Sequence, residues 1–262
     1  MISTRVWTSA LIAIAALGCW PFKGKPKPVV APALANSPRT IDSLWQEGQR
    51  AFNAGRWGVA NRIFTQLSTT MPVTDGRLTR MHFYRGEIEF AMGNELDAVR
   101  QFRRVSDETP DDSLAPDALL RAAEAYTSLW RRPELDPTYG QTALAVFQEV
   151  QTRYPGSAAS KRAEARVREL NDRFAFKEFR NAMFYYKFKA YDSAVLSLRA
   201  LIAQYPRAAI VPSALETLVM AYQALGYQED IKETCGYIAQ FFPAPTGPRR
   251  LCPAVADSAG TP

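Results

Sequence analysis

Histidine is nearly absent from this chain: one residue, His82, in 262. That excludes His-rich metal sites, and any histidine-based triad would rest on one side chain inside a helical pattern. Cysteine is scarce as well, with Cys19, Cys235 and Cys252 the full set, and none has the C-x-x-C spacing of a redox or zinc motif. No Walker loop, H-E-x-x-H or G-x-S-x-G segment occurs. No constellation supports an enzyme, and neither a cofactor nor a metal is expected. Long apolar runs are missing too. The longest, Val6 to Leu17, is too short to cross the roughly 30 Å hydrocarbon layer as a helix. Nothing alternates with period 2 for long enough to suggest a sheet. The charge balance, 32 basic against 26 acidic residues for a net +6, is interleaved along the chain, which argues against a nucleic-acid footprint.

What is present begins with a leader. Arg5 supplies a positive start, Val6 to Leu17 an apolar centre, and Ala16-Leu17-Gly18 small or apolar positions before Cys19. One reading is a plain secretory signal cut at an A-x-A-like site. The other is that "AALGC" resembles the lipobox of bacterial lipoproteins, in which Cys19 becomes the new N-terminus and carries the acyl chains. The second is the expectation here: residues 1–18 as lipoprotein signal peptide, 19–40 as lipidated N-terminus and tether. The tether, "WPFKGKPKPVVAPALANSPRT", is Pro-rich and lacks helical periodicity, which describes a semi-rigid spacer. Acyl chains hold a protein to a bilayer at about 0.8 kcal/mol per buried CH₂.

Beyond residue 40 the chain repeats itself. With Ile41 as position 1, Gly48 falls at position 8, Gly55 at 15, Ala60 at 20, Phe64 at 24 and Pro72 at 32. Starting again at Thr79, Gly86, Gly93, Ala98, Phe102 and Pro110 take the same places. This is the tetratricopeptide pattern. Small residues at 8 and 20 let two antiparallel helices approach, Gly at 15 serves the turn, the aromatic at 24 fills the gap, and Pro at 32 stops the second helix. A third, interrupted unit carries Ala122, Ala143, Phe147 and Pro155, with an insertion within "WRRPELDPTYGQT". A fourth carries Ala182, Ala194, Leu198 and Pro206, and a fifth Tyr222, Gly226 and Pro243. The expected fold is an all-α superhelical solenoid of about five helix pairs. Its parts are repeats 1–3 over residues 41–156, a linking helix over 157–178, repeats 4–5 over 179–243 and a flexible tail over 244–262. The Gly- and Pro-free run from Ser157 to Ala190 predicts a long helix, running into the fourth unit or turning briefly before it.

In such repeats, positions 2, 5, 9 and 12 of the first helix point into a concave face. Position 5 holds Trp45, Phe83 and Leu119; position 12 holds Phe52, Phe90 and Tyr126; position 9 holds Gln49 and Glu87. Two readings stand side by side: a core stripe, or an apolar groove with polar edges suited to an extended, unfolded peptide. In "FKEFRNAMFYYKFKAY", Lys177, Arg180, Lys187 and Lys189 form either a solvated face or a docking surface for an acidic partner domain. Cys235 and Cys252 are either a disulfide or a buried thiol and a free one.

Taken in order, these features resemble the BamD-like outer-membrane assembly lipoproteins. The resemblance runs from Ile41 to Pro243 and rests on "LDPTYGQTALAVFQEVQTRYPGS", "AEARVRELNDRFAFKEF", "FYYKFKAYDSAVLSLRALIAQYP" and "ALETLVMAYQALG". It implies a non-enzymatic subunit of β-barrel assembly, lipid-anchored on the periplasmic face of the outer membrane. Its implied partners are the barrel-forming central subunit, other assembly lipoproteins and unfolded outer-membrane protein segments, with no nucleic acid. The N-terminal repeats would recognise the substrate and the C-terminal repeats would dock. The rival is another periplasmic repeat adaptor, for envelope division or polysaccharide export.

Overall fold

The computed structural model describes residues 38–242 and 250–252. Among them stand ten α-helices and no strand: α1 (Pro38–Asn53), α2 (Trp57–Thr70), α3 (Leu78–Ala91), α4 (Glu95–Glu108), α5 (Ala115–Leu129), α6 (Thr138–Arg153), α7 (Ala158–Lys187), α8 (Tyr191–Gln204), α9 (Val211–Leu225) and α10 (Gln228–Phe241). They form five antiparallel pairs stacked as a tetratricopeptide solenoid. The expected signal peptide, Cys19 and the tether fall outside the described residues.

The repeat glycines act through close contact. A Cβ on Gly86 would lie 2.6 Å from the Phe102 ring, and one on Gly48 3.0 Å from Phe64. Position 8 must therefore be small because position 24 is a ring. The turns also follow the sequence. Gly55 and Gly93 adopt φ of +66° and +79° between the helices of the first two pairs, the left-handed region that costs an L-residue about 1–2 kcal/mol. At the corresponding turn of the fourth pair, between α7 and α8, that conformation falls to Lys189, with φ of +60°.

No single core runs through the molecule. Four apolar clusters follow one another: one over α1, α2 and α3, one between α4 and α5, one over α5, α6 and α7, and one over α7 to α10. Each pair is thus stabilised by its neighbours, as a linear repeat requires. The insertion before α6 belongs to the third cluster through Trp130, which is fully buried. Its indole packs against Gly140, where a Cβ would come within 2.4 Å, and stacks on Phe174 at 4.6 Å. The indole N–H is buried without an acceptor among the described residues, a cost of about 1–3 kcal/mol that the ring packing offsets.

Helix α7 is unbroken for 30 residues, about 45 Å at 1.5 Å per residue. Ser157 caps it, its hydroxyl accepting the Ser160 N–H at 3.0 Å. The run without Gly or Pro gives the helix no reason to stop before Phe188. The expected boundary at residue 178 therefore has no structural counterpart: linking helix and first helix of the fourth pair are one rod.

Candidate functional site

The aromatics read as a groove divide by burial. Leu119 is 0% exposed and Trp45 8%, so these two position-5 side chains are core and closed to a ligand. Of the two readings of the sequence, core stripe or groove, the core stripe holds at these two positions, and the expectation that they bind peptide does not. In this packing position 5 turns inward: the Trp45 ring meets Phe64 at 5.7 Å and Tyr84 at 5.9 Å, and the Arg77 guanidinium covers it at 5.6 Å. Phe83 is half-buried, edge-on to Phe102. Phe52 is half-buried between Trp57 and Tyr84, at 5.5 and 4.7 Å. Gln49 donates from Nε2 to the Tyr84 hydroxyl at 3.4 Å. Tyr84, which the sequence reading passes over, helps join α3 to the first pair, with Met81 and Ile88 in the same apolar cluster. Its position in the repeat gave no sign of this.

Position 12 behaves differently. Phe90 and Tyr126 are half-buried, Tyr126 stacked on Tyr139 at 6.3 Å and Phe90 under the Arg121 guanidinium at 4.6 Å. Phe90 lines a cavity of about 650 Å³ bounded by α5, the insertion and α7. Its walls carry four arginines: Arg121, Arg131, Arg166 and Arg173. Arg121 is held by both oxygens of Glu87, at 2.6 and 2.7 Å, and by Glu124 at 2.6 Å. Burial disfavours the Arg121 charge, but these two carboxylates outweigh it and raise the pKa above its ordinary value. Arg166 reaches Glu124 at 3.3 Å and Glu169 at 2.9 Å. Arg173 lies 4.5 Å over the Trp130 ring and donates to the Trp130 carbonyl. Arg131, in the insertion, is exposed and makes no ion pair among the described residues. Glu87, predicted as a groove residue, thus enters the site indirectly, by orienting Arg121.

A second hollow of about 370 Å³ adjoins the first. The two share Pro133, Glu169 and Arg173, and Asp172, Phe176, Ala209 and Ile210 complete the second, carrying the depression on towards α9. The stripe Arg166, Glu169, Arg173 and Phe176 explains the continuity, since residues three and four apart lie on one helical face. The sequence reading takes residues 157–178, the part of α7 that carries this stripe, as a linker. The spacing of that stripe was the available signal.

The four basic residues of the predicted docking surface also separate. Lys177 Nζ donates to the Leu135 carbonyl at 3.2 Å and the Glu134 carbonyl at 3.4 Å, so it pins the insertion. Arg180 approaches Glu134 at 4.0 Å. Lys187 and Lys189 are exposed at the far end of α7 and make no ion pair among the described residues. Beside them in the chain, Phe188 is 71% exposed, Phe184 58%, and Leu196 of α8 72%. Phe184 and Phe188 touch at 4.6 Å between ring centres.

Cys235 and Cys252 are joined by a disulfide. The bond brings Leu251 and Cys252 against the last apolar cluster. Among the described residues no group of three or more His, Cys, Asp or Glu side chains is placed to hold a metal. No described helix is long and apolar enough to cross a membrane. Ion-paired arginines, stacked rings and open hollows suit recognition of a polypeptide.

A family model for an outer membrane lipoprotein, YfiO, matches residues 93–236, which takes in the whole of α7 and the lining of both hollows except Phe90. The outer membrane protein assembly factor BamD of Caulobacter vibrioides is 25% identical over 236 residues, covering 90% of this chain and 75% of that protein. BamD of Vibrio cholerae is 26% identical over 202 residues, covering 73% and 83%. Among solved structures, a thermophilic tetratricopeptide protein of Thermus thermophilus aligns with a TM-score of 0.37 at 16% identity, over 78% of this chain and 92% of that one.

Proposed function

The chain belongs to the YfiO family of outer membrane lipoproteins, and from that premise we propose that it is a non-catalytic scaffold of outer-membrane β-barrel assembly. Moored through acylated Cys19 at the periplasmic face, it holds unfolded barrel-protein segments along its first-helix side and docks on the barrel-forming central subunit by the end of α7. The groove is centred on Phe90, Tyr126, Arg121 and the insertion, and Phe52 and Phe83 extend it towards the first repeat.

One observation carries the docking half. Phe184 and Phe188 touch and are both exposed, Leu196 is exposed on the helix that follows, and exposed apolar surface of this kind marks a contact site. Lys187 and Lys189 flank it, which favours an acidic partner and a salt-sensitive association. Lys189 supports the same reading, because it holds a backbone conformation that glycine would hold more easily.

The test is co-purification from detergent-solubilised membranes. Phe188→Ser combined with Leu196→Ser is expected to cut recovery of a large outer-membrane barrel protein about tenfold or more, since each apolar side chain buried in an interface contributes roughly 1.5–3 kcal/mol. Circular dichroism should be unchanged. Undiminished recovery from a folded double variant would remove the docking assignment.

A further inference from the structure

We propose that the cavity between α5 and α7 is a carboxylate-selective subsite. It takes the side chain of an internal Asp or Glu in an extended segment, while an apolar side chain of the same segment seats in the adjoining Pro133–Phe176–Ile210 hollow. The proposal rests on the reading of this groove as the segment-binding surface, and it adds which segments bind.

Four guanidinium groups line the cavity. Against them stand Glu124 and Glu169 in its walls and Glu87 behind Arg121. Four positive charges less three negative leave one. The two arginines without a carboxylate of their own are Arg131 and Arg173. Arg131 has no ion pair among the described residues, and Arg173 is spent on a backbone carbonyl and a ring face. A single surplus positive charge over a half-enclosed aromatic floor matches a monoanion with planar oxygens, which guanidinium recognises through two parallel N–H donors.

Shape decides between a side chain and a chain end. The depression does not close beyond the arginines. It continues past Pro133, Glu169 and Arg173 into the second hollow, whose lining is largely apolar apart from those two charged residues and Asp172. A chain lying along it passes through the arginine cavity without ending there. Extended backbone advances about 3.3 Å per residue, so the acidic and apolar side chains belong a few residues apart in one segment.

The experiment uses the full chain in detergent and fluorescein-labelled 12-residue peptides carrying Asp and Leu separated by one to four residues. At the best spacing, Asp→Asn in the peptide is expected to weaken binding at least tenfold, the scale of a charge-assisted hydrogen bond. Arg131→Gln, a change at an exposed residue that leaves the fold intact, should weaken the Asp peptide and leave the Asn peptide unaffected. Phe176→Ser should weaken both. If the Asn peptide binds as well as the Asp peptide, carboxylate selectivity falls while segment binding stands. If amidating the peptide C-terminus matters and Asp→Asn does not, the site reads a chain end and the proposal is wrong. If no peptide binds, both readings fall together.

Discussion

At the residue scale, the contact between Gly86 and Phe102 is, after that of Gly140 with Trp130, the tightest glycine contact among the described residues. Gly86→Ala puts a methyl 2.6 Å from the ring at a buried position against a fully buried Phe102, and overpacking of that kind costs about 1–3 kcal/mol. The urea midpoint should fall accordingly. His82 makes a different prediction. It is buried, with Nδ1 3.0 Å from Gln101 Oε1, and burial pushes its pKa below the ordinary 6.5, with Arg104 and Arg85 adding to the effect and Gln101 opposing it. Well above pH 6.5 the ring is neutral in both folded and unfolded chains. Below that, the unfolded chain takes up a proton that the folded one resists, so stability is lost as pH falls from 6.5 towards the depressed folded value. Urea midpoints at pH 7.5 and 5.5 should show the loss, and His82→Gln should remove its part of it. The single imidazole NMR titration should have its midpoint below 6.5.

At the scale of elements, two positions separate propensity from packing. Gly236 lies inside α10 with open space where a Cβ would go, so Gly236→Ala should raise stability by about 0.8–1 kcal/mol through helix propensity alone. Thermal melting checks it. The same substitution type is therefore expected to have opposite signs at Gly86 and Gly236, although both sit in helices. The sequence already distinguished them: Gly86 is at position 8 of a repeat and faces a ring at position 24, while Gly236 lies outside that pattern. It did not distinguish Trp45 from Phe90. Both are aromatics on the expected groove face, and only the placement of Tyr84 and Arg77 makes Trp45 core.

At the scale of the molecule, linearity governs how damage spreads. The Cys235–Cys252 bond spans 17 residues of sequence, and closing a loop of that size is worth about 3 kcal/mol in the chain-entropy account. Reduction, or Cys252→Ser, should therefore raise amide exchange in α10 and the adjoining end of α9. Exchange in α1 to α4 should be unchanged, because each pair is coupled only to its neighbours. Hydrogen-exchange mass spectrometry resolves the two regions. A uniform rise across all ten helices would mean that the four apolar clusters act as one core, against their separation along the chain.

The phase of the repeat was decided by the sequence alone. Glycine opposite a ring and proline after the second helix are requirements between residues within one pair, so they are written at fixed spacing and can be read there. That the Gly- and Pro-free run is helical was legible for the same reason; that it passes residue 178 without a break was not. Which aromatics are covered, which arginines lack a carboxylate partner and which cysteines meet depend on the tertiary structure. Each depends on what a neighbouring pair brings to the contact: Glu87 to Arg121 across 34 residues, Arg173 to Trp130 across 43. Helical periodicity says which residues share a face, but whether that face is covered is decided by the helix packed against it.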